Sequence, residues 1–250
     1  MTNAVVLAAG FGSRMGSYTK NIPKPLLPIN GRPLLDYTIR QLASCGIKKL
    51  FLNTHYHANQ IDDFVGSGEK FGLEISTVFE KEPTGTSGGV RNFKNELQKN
   101  ECFLVIYGDI FTDLDYQALL VQHNKQPGLA TICVHRRPKS NSIACFDNNK
   151  KVTEFIERPE TKELARFPDG VWVNSAIYCF SPEIFNYCAS DGFEDFPKDV
   201  FPSLVRDHEL YAYPINCHRV AIDNEQKYLE AQETCKNFKF SFIERDLQKN

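Results

Sequence analysis

Four short apolar or alternating runs, Ala4–Ala9, Lys49–Asn53, Glu74–Glu80 and Cys102–Tyr107, punctuate the first 107 residues, with helix-patterned segments between them. No other pattern in the chain narrows the fold as far. A strand returning parallel to its neighbour needs a crossover, and a helix is the usual one. Pro33–Ser44 puts Leu34, Tyr37 and Leu42 on one helical face, with Gly46 behind as a stop. Ala58–Val65 closes at Gly66, and Gly88–Gln98 repeats the helical spacing. The pattern predicts an α/β protein with a Rossmann-like, mostly parallel mixed sheet flanked by helices. Ligands of such sheets collect beyond the carboxyl ends of the strands, where the loops after Ala9 and Tyr107 fall.

From about residue 129 the strands crowd together: Leu129–His135, Ser142–Asp147, Lys151–Ile156, Val173–Phe180 and Glu209–Asn216. This predicts a more antiparallel region appended to the same sheet. No linker rich in Pro, Gly or Ser intervenes, so residues 1–235 read as one domain with lobes of about 1–128 and 129–235. Residues 236–250 read as a polar tail. Within it Asn237–Phe242 is compatible with a terminal strand, and the rest is expected to fray.

A formal net charge of -2 gives no general attraction to nucleic acid or anionic membranes. Neither is expected as a partner; oligomeric state is not legible. Anion binding must come from a local cluster of cations. No apolar stretch approaches a membrane span, and Ala4–Ala9 is too short for a secretory signal. The eight cysteines are irregularly spaced with no CxxC pair, which argues against zinc and for a reduced, cytoplasmic protein.

Such a cluster lies in Leu7–Pro25, "LAAGFGSRMGSYTKNIPKP". Glycines let backbone amides approach an anion, and Arg14 adds a fixed charged fork. Neither a dinucleotide GxGxxG nor a Walker loop is satisfied, since Met15 and Ser17 stand at glycine positions. By spacing alone, a phosphate loop and an ordinary strand-to-helix turn are both open. Lys24, between Pro23 and Pro25 on backbone expected to be extended, strengthens the anion reading. Asp109, just beyond an apolar strand, is a metal ligand or a turn residue. His55 and His57 would share a strand face but lack a third ligand, which favours a hydrogen-bonded pair at a pocket edge.

"LAAGFGSRM…PKPLLPINGRPLLDYTI" resembles the N-terminal signature of the sugar-1-phosphate nucleotidyltransferases, and matching pieces recur over residues 3–230. "EKEPTGTSGG" is similar to that family's loop against base and ribose, and "YGDIFTD" to its GD metal motif. "FIERP", "VNSAIYCF" and "AIDNEQKYLEA" resemble its sugar-phosphate, sugar-facing and late acidic elements. The resemblance implies the nucleotide-diphospho-sugar transferase fold, with a nucleotide lobe followed by a sugar-binding lobe. It implies attack of a sugar-1-phosphate oxygen on the α-phosphate of a nucleoside triphosphate. The bacterial mannose- and heptose-1-phosphate guanylyltransferases are the most similar in character, so GTP is favoured. A UTP- or CTP-using enzyme, or a non-catalytic nucleotide or sugar-phosphate sensor, remains open.

By the same resemblance, Leu7, Ala8, Ala9, Gly10, Gly12, Ser13, Arg14, Asn53, Gly85, Thr86 and Gly108 face the nucleotide. Arg14, Lys24 and Asp109 carry the chemistry, and Asp109 and Asp223 hold Mg²⁺. Glu157, Arg158 and Asn174 take the sugar phosphate. Three positions depart from the family pattern: Arg158 replaces a lysine, Ala176 a glycine, and Asn224 a glycine or threonine.

Overall fold

The computed structural model describes residues 2–138, 141–240 and 242. In chain order its strands are β1 (Asn3–Leu7), β2 (Pro28–Ile29), β3 (Arg32–Pro33), β4 (Lys49–Thr54), β5 (Glu74–Phe79), β6 (Phe103–Tyr107), β7 (Ile110–Thr112), β8 (Ala130–Arg137), β9 (Ser142–Phe146), β10 (Val152–Glu157), β11 (Val171–Phe180), β12 (Leu210–Pro214) and β13 (Arg219–Ala221). The helices are α1 (Leu34–Ser44), α2 (Ala58–Val65), α3 (Gly85–Arg91), α4 (Lys94–Leu97), α5 (Tyr116–His123), α6 (Thr161–Leu164), α7 (Phe201–Arg206) and α8 (Glu225–Thr234).

Among the described residues, a mixed, mostly parallel seven-stranded sheet has the order β12-β8-β11-β6-β1-β4-β5. β1 pairs parallel with β4 and β4 with β5, as helical crossovers require. β12 is parallel to β8, whereas β11 is antiparallel to it. Two-stranded ladders join β2 to β3, β7 to β13 and β9 to β10.

Two compact units divide the chain. The first draws on Met1–Pro83, Ile106–Gln117 and Cys217–Asn250, the second on Thr84–Val105 and Ala118–Asn216. Both are discontinuous, whereas the sequence suggests contiguous lobes meeting near residue 128.

In the first unit, β1 and β4 bury Ala4, Val5, Val6, Leu50 and Leu52, and α1 lays Leu35, Ile39 and Leu42 into the interior. Asp36, in the first turn of α1, suits the helix dipole and is gripped by Arg32 and Arg40 at 2.7 and 2.8 Å. The expected stop is found: Cys45 is the C-cap and Gly46 follows with φ +87°. A further core gathers Met15, Tyr37 and Tyr228 around Phe111 of β7 and Val220 of β13. The chain does not leave this unit at residue 235. Phe238, Phe240 and Phe242 are buried in the same core. Phe238–Phe240 forms no strand; its alternation presses alternate side chains onto Tyr37 and Phe111 rather than serving a ladder. Residues 243–250, read from sequence as a fraying end, lie outside the described residues.

In the second unit Tyr178 and Phe180 of β11 pack on the rings of Phe196 and Phe201. The helix expected over Gly88–Gln98 is two helices, α3 and α4. Between them Phe93 turns inward, with φ −112° and ψ 13° outside helical geometry. Among the described residues, no helix is long and apolar enough to cross a membrane. None of the eight cysteines is in a disulfide.

Candidate functional site

β1 stops at Leu7, and the Ala8 amide is held twice, by the Asn53 carbonyl at 3.2 Å and by Asn53 Oδ1 at 2.9 Å. Asn53 Nδ2 donates to Glu80 Oε1 at 3.0 Å, and both side chains are buried. Asn53 thus fixes where the glycine loop begins. Glu80 was not singled out by sequence reasoning; only its burial beside Asn53 reveals its part.

Ala8 and Ala9 are buried and Gly10 is exposed. The Gly12 carbonyl accepts from the Met15 amide and from Thr19 Oγ1, both at 2.9 Å, as the chain winds through a 3-10 stretch, Ser13–Thr19. Met15 is buried, which pins the loop to the core and leaves Ser13 and Arg14 facing outward.

Lys24 opens a single 3-10 turn, Lys24–Leu26, after an extended Pro23; the expectation of extended backbone on both sides of the lysine is corrected to one side. Pro25, at an early helical position, needs no amide partner there, so the turn is compatible with both prolines. Lys24 Nζ lies 3.0 Å from Asp109 Oδ2, and both side chains are largely covered. Arg14 Nη1, mostly exposed, lies 3.3 Å from Asp223 Oδ2.

One ladder brings these two pairs together. Ala221 faces Ile110 across β13 and β7, and the Ile222 amide donates to the Asp109 carbonyl at 2.8 Å. Asp109 and Asp223 therefore leave the ladder one position apart, with backbones about 6 Å from each other by sheet spacing. Gly108 completes the junction. Its amide bonds the Leu7 carbonyl at 2.8 Å, and a Cβ there would meet that oxygen at 2.7 Å, so only glycine fits. Asn224 has a local explanation: Oδ1 caps α8 by accepting from the Lys227 amide, and Nδ2 donates to Asp223 Oδ1.

Hard carboxylate oxygens beside two fixed cations suit Mg²⁺, which takes one or two carboxylates and completes its shell with phosphate oxygens and water. Among the described residues, no group of three or more His, Cys, Asp or Glu could hold a metal by itself. His55 and His57 instead meet backbone carbonyls, of Glu80 at 2.8 Å and Lys20 at 3.2 Å. They line a cavity of about 360 Å³ with Asn59, Gln60 and Phe79.

The second unit holds the remaining predicted residues. The Thr86 amide donates to Asp195 Oδ1, the Phe196 amide donates to Thr86 Oγ1, and the Ser87 amide donates to the Glu194 carbonyl. A Cβ on Gly85, at φ +82°, would lie 2.3 Å from that carbonyl. The polar atoms of the turn are thus fastened to Glu194 and Asp195, which sequence reasoning also missed because they lie over 100 residues away. Asn174 Nδ2 donates to Tyr178 Oη at 2.8 Å, and its Oδ1 accepts from the Ala176 amide at 2.9 Å. Here the β8–β11 register shifts, and Ala176 takes a left-handed φ of +58°. Glu157 ends β10, where burial and the nearby Asp195 push its carboxyl up against the opposing pull of Arg158. Arg158 also sits at positive φ, its amide bonded to the Asn141 carbonyl at 2.7 Å.

The nucleotidyl transferase family model matches residues 3–223. A UTP–glucose-1-phosphate uridylyltransferase of Synechocystis is 30% identical over 85% of this chain and 57% of its own length. A mannose-1-phosphate guanylyltransferase of Mycobacterium tuberculosis is 29% identical over 84% of this chain and 57% of its own. The chain thus spans less than two thirds of the length of these relatives. A crystal structure from Bacillus anthracis, provisionally assigned as a glucose-1-phosphate thymidylyltransferase, superposes with a TM-score of 0.84 at 20% identity. It covers 96% of this chain and 98% of its own and shows the same fold. A glycine loop ending in Arg14, a Pro-flanked Lys24, an aspartate after β6 and a late aspartate on one ladder thus accompany a family match over most of the sequence: the chain belongs to the nucleotidyl transferase family.

Proposed function

We propose that this protein transfers a nucleoside monophosphate from a nucleoside triphosphate to a sugar 1-phosphate, releasing pyrophosphate and forming a nucleoside diphosphate sugar. The observation that carries this reading is the Lys24–Asp109 and Arg14–Asp223 pairing around the β7–β13 ladder. A sugar-phosphate oxygen attacks the α-phosphorus as its bond to the bridging oxygen breaks, so both reactants are polyanions. Neutralisation and in-line positioning then contribute more than a protein nucleophile would.

Lys24, largely covered and held by the 3-10 turn, presents its ammonium to the phosphates near the reacting centre. Arg14, on the outward side of the loop, offsets charge on the departing pyrophosphate. The backbone from Ala8 to Ser13 wraps the triphosphate. Asp109 and Asp223 would hold Mg²⁺, which when bound screens charge on the phosphate oxygens. In the second unit, Glu157 and Arg158 contact the sugar phosphate, and Asn174 shapes the backbone that faces the sugar.

GTP is the favoured donor and a hexose or heptose 1-phosphate the favoured acceptor, on the likeness to mannose-1-phosphate guanylyltransferases. Pyrophosphate release with Mg²⁺ across all pairs of four triphosphates and a panel of sugar 1-phosphates tests the reading. The largest kcat/KM is expected with GTP. Binding without release for every pair would make the protein a sensor instead.

A further inference from the structure

The aspartate four residues beyond Asp109 has no place in the chemistry above, yet it is the more buried of the two. Asp113 follows β7, and only 7% of its side chain is exposed. Oδ1 accepts from the His218 amide at 2.8 Å. Oδ2 lies 3.0 Å from His218 Nδ1 and accepts from the Lys239 amide at 2.9 Å. Its own amide bonds the His218 carbonyl, which also accepts from Thr112 Oγ1 at 2.8 Å. This carboxylate therefore closes the far end of the β7–β13 ladder and fastens the chain near its C-terminal end to it. Beside it, Phe238 stacks on Phe111 at 4.3 Å and Phe240 packs at 5.5 Å. Phe111 is the central residue of β7 and faces Val220.

Three ladder positions separate this clamp from the end that carries Asp109 and Asp223. Asp109 lies opposite Ile222, and a slip of one residue in so short a ladder would shift Asp223 along Asp109 by about 3.4 Å. We propose that Asp113 is a positioning residue: with the Lys239 amide and the Phe238–Phe240 segment it fixes the register of β7 against β13, and so the separation of Asp109 and Asp223. This rests on the metal role given to those two aspartates.

The test isolates one hydrogen bond. Lys239→Pro deletes the amide that Asp113 accepts from; Phe238, at φ −78° and ψ 135°, already has the backbone a following proline favours. Lys239→Ala keeps the amide and serves as the conservative control. Affinity for inorganic tripolyphosphate is measured by calorimetry in EDTA and in excess Mg²⁺, on proteins shown by circular dichroism to melt cooperatively. In Lys239→Pro the gain in affinity due to Mg²⁺ is expected to fall about fivefold while the metal-free affinity stays level. Amide exchange at Val220 and Ile222 should quicken, and Lys239→Ala should match the unsubstituted protein. Asp113→Asn, which retains one acceptor oxygen, should behave like Lys239→Pro. An undiminished Mg²⁺-dependent gain in both folded variants overturns the proposal and leaves the site reading intact. If the unsubstituted protein shows no such gain, the site reading falls, and the proposal with it.

Discussion

The charged cluster of the first unit and the polar turn of the second both answer to motifs of the same polarity, yet they use their atoms oppositely. Around the β7–β13 ladder the two cations meet two carboxylates at 3.0 and 3.3 Å through side-chain contacts. Under the proposed function such partners would be exchanged for phosphate and metal. In the second unit the side chains of Thr86, Asn174 and Glu194 bond backbone groups of their own unit. Exchanging those for a ligand would leave buried polar groups unsatisfied. The contrast teaches that a polar residue within a motif can act on the ligand or on the backbone that faces it, and that its present partners tell which.

The sharpest test of this contrast is Asp109→Ala. It is expected to lower turnover roughly a thousandfold, in the range for losing a charge-stabilising group, with little change in melting temperature. Near-native turnover at saturating Mg²⁺ would break the distinction at its strongest point.

On the scaffold side, pH provides the next largest effect. His123 is buried between Thr131 Oγ1 at 2.9 Å and Ser181 Oγ at 3.2 Å, and burial lowers its pKa to about 4. The unfolded chain binds the proton near the ordinary value of 6.5, so between there and about 4 it holds more protons than the folded one. Stability is complete above that window and falls through it on acidification, by up to about 3 kcal/mol. Urea titrations at pH 7 and pH 4.5 should show this, and His123→Gln should flatten the difference. A difference unchanged in that variant would assign the acid sensitivity elsewhere.

Asn174→Ala comes third. It strips partners from the buried Tyr178 hydroxyl and from the Ala176 amide, and should destabilise by about 2 kcal/mol. Unchanged stability with a raised KM for sugar 1-phosphate would move Asn174 to the ligand-facing class. Ala176→Gly is the smallest effect. At φ +58° a glycine relieves left-handed strain, for a gain of about 1 kcal/mol in denaturant unfolding. A loss of stability would show that the alanine methyl packs too well to give up.

The parts of the molecule legible in sequence are those governed by local rules. β1, β4, β5 and β6 follow from apolar runs, and α1 and α2 from spacing and a terminal glycine; the motifs single out Arg14, Lys24, Asp109 and Asp223, which form two ion pairs. The rest depends on contacts distant along the chain. β7 and β13 are three residues each, too short to register as periodicity, yet their pairing joins Asp109 to Asp223 across 114 residues. Glu194 and Asp195 fasten a turn that reads by itself as ordinary surface. Phe238, Phe240 and Phe242 alternate with polar residues in a way that reads as compatible with a strand, and only the hydrophobic core they complete shows what the alternation serves.

Because Lys24 already rests on Asp109, the proposed site would receive neither half of a magnesium–nucleotide complex well alone. A bare cation would have to evict an ammonium from its carboxylate, and a bare polyphosphate would have to pull the same ammonium away and leave that carboxylate stranded. Were both to arrive as one complex, the lysine would pass to phosphate and the aspartate to metal, and every charge would keep an opposite. Under the proposed function, the resting ion pair would work as a coincidence detector.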